Sequence, residues 1–313
     1  MKKAQLQINK TGYRERQFDP TNAEEIMKQF IENKRLYDLY EQDKADFTKS
    51  ATKHWGHLLP PGINANEWFG ERLRSDCDQP YFIEPRAEHT PLTEPDDTRE
   101  YYTAPKNADG HGQIVLCYAN DAIKEFIDEN NISPKCIRAH ENVHKMTHFK
   151  LPGENAYRVG FRINDGDINQ GRGFNEGATN IMAKRLTDFE PDTLGYHFET
   201  QIANKVMNIA DEDTFFGAML LDPQILTEKY DDIAGKGRYI KLIYDTDNLF
   251  NLRKNLYSST TNRGYGKSQT DIYTSYKQIA HDLKRVEQKI KPYPKLRNST
   301  ITGTSPKETP MTL

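Results

Sequence analysis

Apolar residues at positions 26, 27, 30 and 31, continued by Leu36, Leu39 and Tyr40, recur at helical spacing. Thr21 and Asn22 offer N-cap chemistry just before them, so an amphipathic packing helix is expected here. From His54 to Pro105 the periodicity fails. Pro60-Pro61-Gly62, Glu84-Pro85, Thr90-Pro91 and Glu94-Pro95-Asp96-Asp97 read as loops and turns. Trp55, Trp68, Phe69, Tyr81 and Phe82 are dense enough to pin such loops to a core, or to line a substrate groove.

Residues 113–119 form a short apolar, β-rich run and read as a buried strand. Asn120-Asp121 opens a short helix through Ile127, and Ser133-Pro134 opens the next, with Ser at the N-cap and Pro at the first helical position. Residues 157–163 alternate as a strand, and 164–173 read as a loop. A helix is expected from Asn175 to about Leu186, and two more over 198–209 and 213–221. Beyond about 250 the chain turns polar. There 258–264 read as linker, 270–291 as one charged helix, and Asn298 onward as a disordered tail. The expected fold class is α+β, mostly helical.

Composition and charge narrow this picture further. Lys+Arg 43 against Asp+Glu 46 gives a net charge of −3, which supplies no global drive toward nucleic acid. Only 35% of the 313 residues are hydrophobic, and mean hydropathy is −0.87, so long polar loops or a mobile end should accompany the core. No run of about 18 apolar residues occurs, so no membrane span is expected. The basic start at Lys2-Lys3 lacks the apolar stretch of a signal peptide. Cys77, Cys117 and Cys136 are odd in number and widely spaced, which argues against a disulfide framework. Cytoplasmic placement is the default expectation, with export by a non-cleaved route left open.

The chemistry concentrates in the helix opened by Pro134. Its sequence includes His140-Glu141-Asn142-Val143-His144, the H-E-x-x-H pattern. On a helix the two histidines lie one turn apart on one face and can reach the same metal ion, with Glu141 beside them as a candidate general base. Catalytic zinc usually takes three protein ligands and keeps one position open. Glu176 is the candidate third ligand, and Asn180, one turn later, could accept the free ring N–H of a ligand histidine. Cys136 and His148 extend the i+4 stripe, but the stripe drifts round the helix; Cys136 is expected in the core and His148 in a supporting or surface position. Tyr157, Tyr196 and His197 are candidates for contacting the transition state, each with a structural role as its alternative.

His140-Glu141-x-x-His144 followed by Asn175-Glu176-Gly177-Ala178-Thr179 resembles the gluzincins, the thermolysin-like zinc metallopeptidases. The likeness is closer to bacterial proteins with an N-E-G-x-T second motif after a Gly-bearing strand, a place taken here by Val159-Gly160-Phe161. It covers about residues 110 to 220. The resemblance implies a Zn2+ site with His140, His144 and Glu176 as ligands, Glu141 as catalytic base, and a peptide or protein substrate. Many gluzincins carry an acidic residue where this chain has Asn180. The metzincin pattern does not fit, since its Gly would fall at Thr147 and its third His at Lys150. The implied division is a helical, loop-rich region (1–105), a zincin-like catalytic domain (106–250) and a polar, partly helical extension (251–313). Two other readings stay open: a zinc hydrolase of non-peptide amides, and a non-catalytic scaffold with a fortuitous motif.

Overall fold

A computed structural model describes residues 7–8, 14–15, 23–76, 80–83, 100–103, 113–116, 134–152, 156–165, 168–188, 196–258 and 265–290. The expected helix over 121–127, the proline-marked loops of 84–95, Cys77, Cys117 and the tail from 298 lie outside these residues.

Helix α1 runs over Ala23–Trp55, well past Tyr40. No Gly or Pro interrupts it, and Leu36, Tyr40, Phe47, Ala51 and Trp55 keep one buried stripe in register. Phe30 and Ile31 do not share that stripe and are exposed. A short 3₁₀ turn at Gly56–Leu58 leads to α2, Ala65–Leu73. Asn64 caps α2, its Oδ1 accepting the N–H groups of Asn66 and Glu67 at 3.1 and 3.4 Å. The proline punctuation hid this nine-residue helix. Trp55, Phe69 and Tyr81 are buried at 1%, 0% and 1% exposure, so these aromatics build core rather than line a groove.

Strands β1 (Gln7–Ile8) and β2 (Arg14–Glu15) pair antiparallel. In a second sheet β5 (Gln113–Leu116) lies between β3 (Tyr81–Ile83), which is parallel to it, and β4 (Glu100–Thr103), which is antiparallel. Helix α3 (Pro134–Met146) leads into an antiparallel meander of β6 (His148–Lys150), β7 (Tyr157–Val159), β8 (Arg162–Asp165) and β9 (Ile168–Gln170). The single strand expected over 157–163 is therefore two. Gly160, at φ +55°, turns the chain so that Val159 pairs with Arg162.

Among the described residues six helices follow: α4 (Arg172–Thr187), α5 (His197–Ala210), α6 (Glu212–Leu220), α7 (Gln224–Ala234), α8 (Arg238–Ser258) and α9 (Tyr265–Ile290). Helices α7 and α8 had no counterpart in the hydropathy pattern. The protein is mostly helical α+β. Helix α4 is central, packing on α1, α3, α5 and α8, and its residues 173–183 are buried on every side. One apolar cluster joins Phe47 and Trp55 of α1, Phe174 and Ala178 of α4, Val206 of α5, and Leu283 and Val286 of α9. Among the described residues no helix is long and apolar enough to cross a membrane.

Candidate metal centre

Helix α3 is held from one side and presents its motif on the other. On the first side, Arg138 Nε donates to Asp43 Oδ2 at 2.5 Å and the Tyr81 hydroxyl donates to the same oxygen at 2.9 Å. Asn142 Nδ2 donates to the Tyr81 oxygen and to Arg138 O, both at 2.8 Å. This buried network spans α1, β3 and α3 and fixes the rotation of α3. Cys136, one turn before His140, is a buried free thiol, pushed up to about 11 by that burial.

The opposite side brings His140 and His144 against Glu176 of α4. His140 Nε2 lies 3.1 Å from Glu176 Oε2, His144 Nε2 lies 3.3 Å from the same oxygen, and the two nitrogens are 3.1 Å apart. Zinc at about 2.0–2.1 Å from each of three tetrahedral donors requires edges of about 3.3–3.4 Å. The donor triangle is within a few tenths of an ångström of that. Three lone-pair atoms so close repel one another unless a cation, a proton or a metal, lies between them. The residues therefore fit a zinc ion.

Glu141 stands just outside the triangle. Its Oε1 is 4.0 Å from His140 Nε2, and His140, Glu141 and His144 cluster within 4.8 Å. The site is nearly closed to solvent, with side chains of His140, Glu176 and His144 exposed by 5%, 10% and 12%. Burial alone would push the Glu176 carboxyl up; the imidazoles of His144 and His140 outweigh it and hold the group well below the usual carboxylate range. Burial likewise pushes the His140 imidazole down, and the carboxylates of Glu176 and Glu141 together with Asn180 outweigh it, leaving His140 above its ordinary value.

Two asparagines orient the imidazoles. Asn180 Nδ2 donates to Thr200 Oγ1 at 3.1 Å, which turns its Oδ1 toward His140 Nδ1 at 2.7 Å. His140 then carries its proton on Nδ1 and keeps Nε2 bare for a metal. Asn175 does the reverse. Its Oδ1 accepts the Phe161 N–H at 2.9 Å, so Nδ2 faces His144 Nδ1 at 3.3 Å. An amide donor aimed at Nδ1 favours the tautomer with the proton on Nε2, the nitrogen a metal would need. For His144 to ligate, its Nδ1–H must turn to Thr179 Oγ1, 3.5 Å away. Asn175→Asp replaces the opposing donor with an acceptor and keeps an oxygen for Phe161. It should tighten metal binding about tenfold, read by chelator competition. Unchanged or weaker binding would contradict this account of the His144 tautomer.

The turn that places Asn175 is itself fixed. Gly160 N donates to Thr147 O at 3.0 Å, and Arg158 donates to the carbonyls of Gly160, Met219 and Leu221 at 2.9–3.1 Å. A Cβ on Gly160 would lie 2.2 Å from Asn175 Oδ1. At the start of α4, Asp247 of α8 accepts the N–H groups of Gly171 and Gly173 at 2.7 and 2.8 Å.

Of the three transition-state candidates, Tyr196 stacks on the His140 ring, with centroids 5.6 Å apart and planes 12° from parallel. Tyr157 lies edge-on to His148 on β6, and exposed His197 bonds Gln201 of its own helix at 2.6 Å. The supporting roles of Asn175 and Thr179 had a local signal, since both belong to the motif around Glu176. Thr200, Phe250 and Arg253 had none, because they reach the site only through folding. No protein-family model matches the chain, and comparison with curated proteins and with solved structures returns no match.

Proposed function

We propose that this protein is a zinc-dependent hydrolase of the gluzincin kind, acting on peptide bonds. The observation that carries the reading is the donor triangle of His140, His144 and Glu176, with Glu141 beside it and outside it. A bound zinc supplies a water whose pKa falls to about 7 and a Lewis acid for the scissile carbonyl. Glu141 takes the proton of the attacking water and delivers it to the leaving amine. His140, held by Asn180, and Glu176, held low by two imidazoles, present charge-dense donors without reorganisation.

The test is cleavage of a peptide library by the zinc-loaded protein beside Glu141→Gln. Cleavage by the wild type alone supports the reading, and none by either form opposes it. One observation favours a second reading. The Asn175 donor on His144 Nδ1 suits a metal-free, non-catalytic scaffold in which His144 carries its proton toward Glu176.

The metal-free site is an ion pair of His140 with Glu176, which gives a pH signature. His140 is raised above its ordinary 6.5 in the fold, so its contribution to stability is present below that value and is lost as pH rises through the raised one. A metal needs the same nitrogen bare and binds better as that proton leaves. The melting temperature gained on adding zinc should therefore widen over the interval from 6.5 up through the raised value of His140. A gain that is constant or shrinks over that interval would contradict the site's occupancy by a metal.

A further inference from the structure

We infer that Tyr196 is a positioning residue for His140 and acts through its ring. The inference rests on the zinc reading for its consequence but not for its geometry. Asn180 fixes one atom of the His140 imidazole, Nδ1, at 2.7 Å. This contact and that of Nε2 with Glu176 at 3.1 Å are both made at ring nitrogens, in the plane of the imidazole, so neither resists tilting of the ring about the line that joins them. The Tyr196 ring, 12° from parallel to the imidazole, removes that freedom.

The tyrosine is in turn backed from helix α8. Phe250 stacks on it with centroids 6.3 Å apart and planes at 21°, and the Arg253 guanidinium lies 5.3 Å from the Tyr196 ring centre. Arg253 also stands over Phe250 at 5.8 Å, and its Nε donates to the fully buried Glu199 at 3.2 Å. The chain of contacts runs from Glu199 through Arg253 and Tyr196 to His140. Residues 250–253 lie over a hundred positions beyond the motif, and this stack is how their helix reaches it. The aromatic face of Tyr196, laid against the imidazole, is what orients the candidate ligand.

Two readouts test this. In the metal-free protein, the stacked ring shifts the His140 carbon-bound proton resonances upfield; Tyr196→Phe should keep that shift and Tyr196→Leu should abolish it. For zinc, measured by chelator competition, Tyr196→Phe should bind within about twofold of wild type and Tyr196→Leu about tenfold more weakly. Phe250→Leu, which removes the backing ring, should weaken binding by less than Tyr196→Leu. A Phe variant as impaired as the Leu variant would assign the role to the hydroxyl and overturn the inference. So would a Leu variant with wild-type resonances and affinity. If wild type binds no zinc, the proposed function fails, while the resonance comparison still decides the stack.

Discussion

Gly177→Ala is expected to destabilise the protein by about 3 kcal/mol or more, although alanine is the better helix former by about 1 kcal/mol. A Cβ at this position would lie 2.2 Å from Glu199 O, 2.3 Å from Glu199 C and 2.8 Å from Thr200 N. These are backbone atoms of α5, so no side chain can rotate aside. Helices α4 and α5 would have to separate, carrying Thr200 from Asn180 and loosening the residue that orients His140. Glu176, the neighbour of Gly177, would move with α4. Denaturant unfolding and zinc content should both fall. A variant that gained stability from helix propensity would show that α4 and α5 do not approach as described.

Arg253→Met is expected to cost about 3–5 kcal/mol, the usual loss when one partner of a buried ion pair is removed. Glu199 is 0% exposed, and the Arg253 guanidinium is 3.2 Å from its Oε1. The methionine keeps much of the apolar stem but leaves the carboxylate without this cation. The double variant Arg253→Met with Glu199→Gln should recover most of the loss, because the buried charge is then gone. Equal damage in the single and double variants would assign the effect to packing against Tyr196 and Phe250 instead.

The site was legible in the sequence where its parts are local. His140 and His144 are one helical turn apart, and Ser133-Pro134 announced that helix, so a pattern of a dozen residues carried both imidazoles and Glu141. Glu176 and Asn180 were legible for the same reason, one turn apart on α4. Helix α1 was read too short, and Phe30 and Ile31 were grouped with its packing face, because periodicity near a helix end does not say which turns meet a partner; both are exposed while Phe47 and Ala51 are buried. Helix α8 was missed since its face is split between apolar residues and those with polar work, such as Asp247 capping α4 and Arg253 pairing with Glu199. Tyr196 was singled out, but what it touches could not be. The orientation of Asn175 was equally hidden, since it depends on a turn at Gly160 that forces its oxygen onto the Phe161 amide.

In the proposed function His140, His144 and Glu176 hold one metal ion and leave Glu141 free for catalysis. Zinc content by elemental analysis of wild type, Glu176→Ala and Glu141→Gln tests it most directly. The expected result is about one zinc per wild-type chain, lost or much weakened in Glu176→Ala and retained in Glu141→Gln. A wild-type protein that takes up no zinc after chelator removal and reloading would contradict it. Retention in Glu176→Ala with loss in Glu141→Gln would do the same, by exchanging the roles of the two carboxylates.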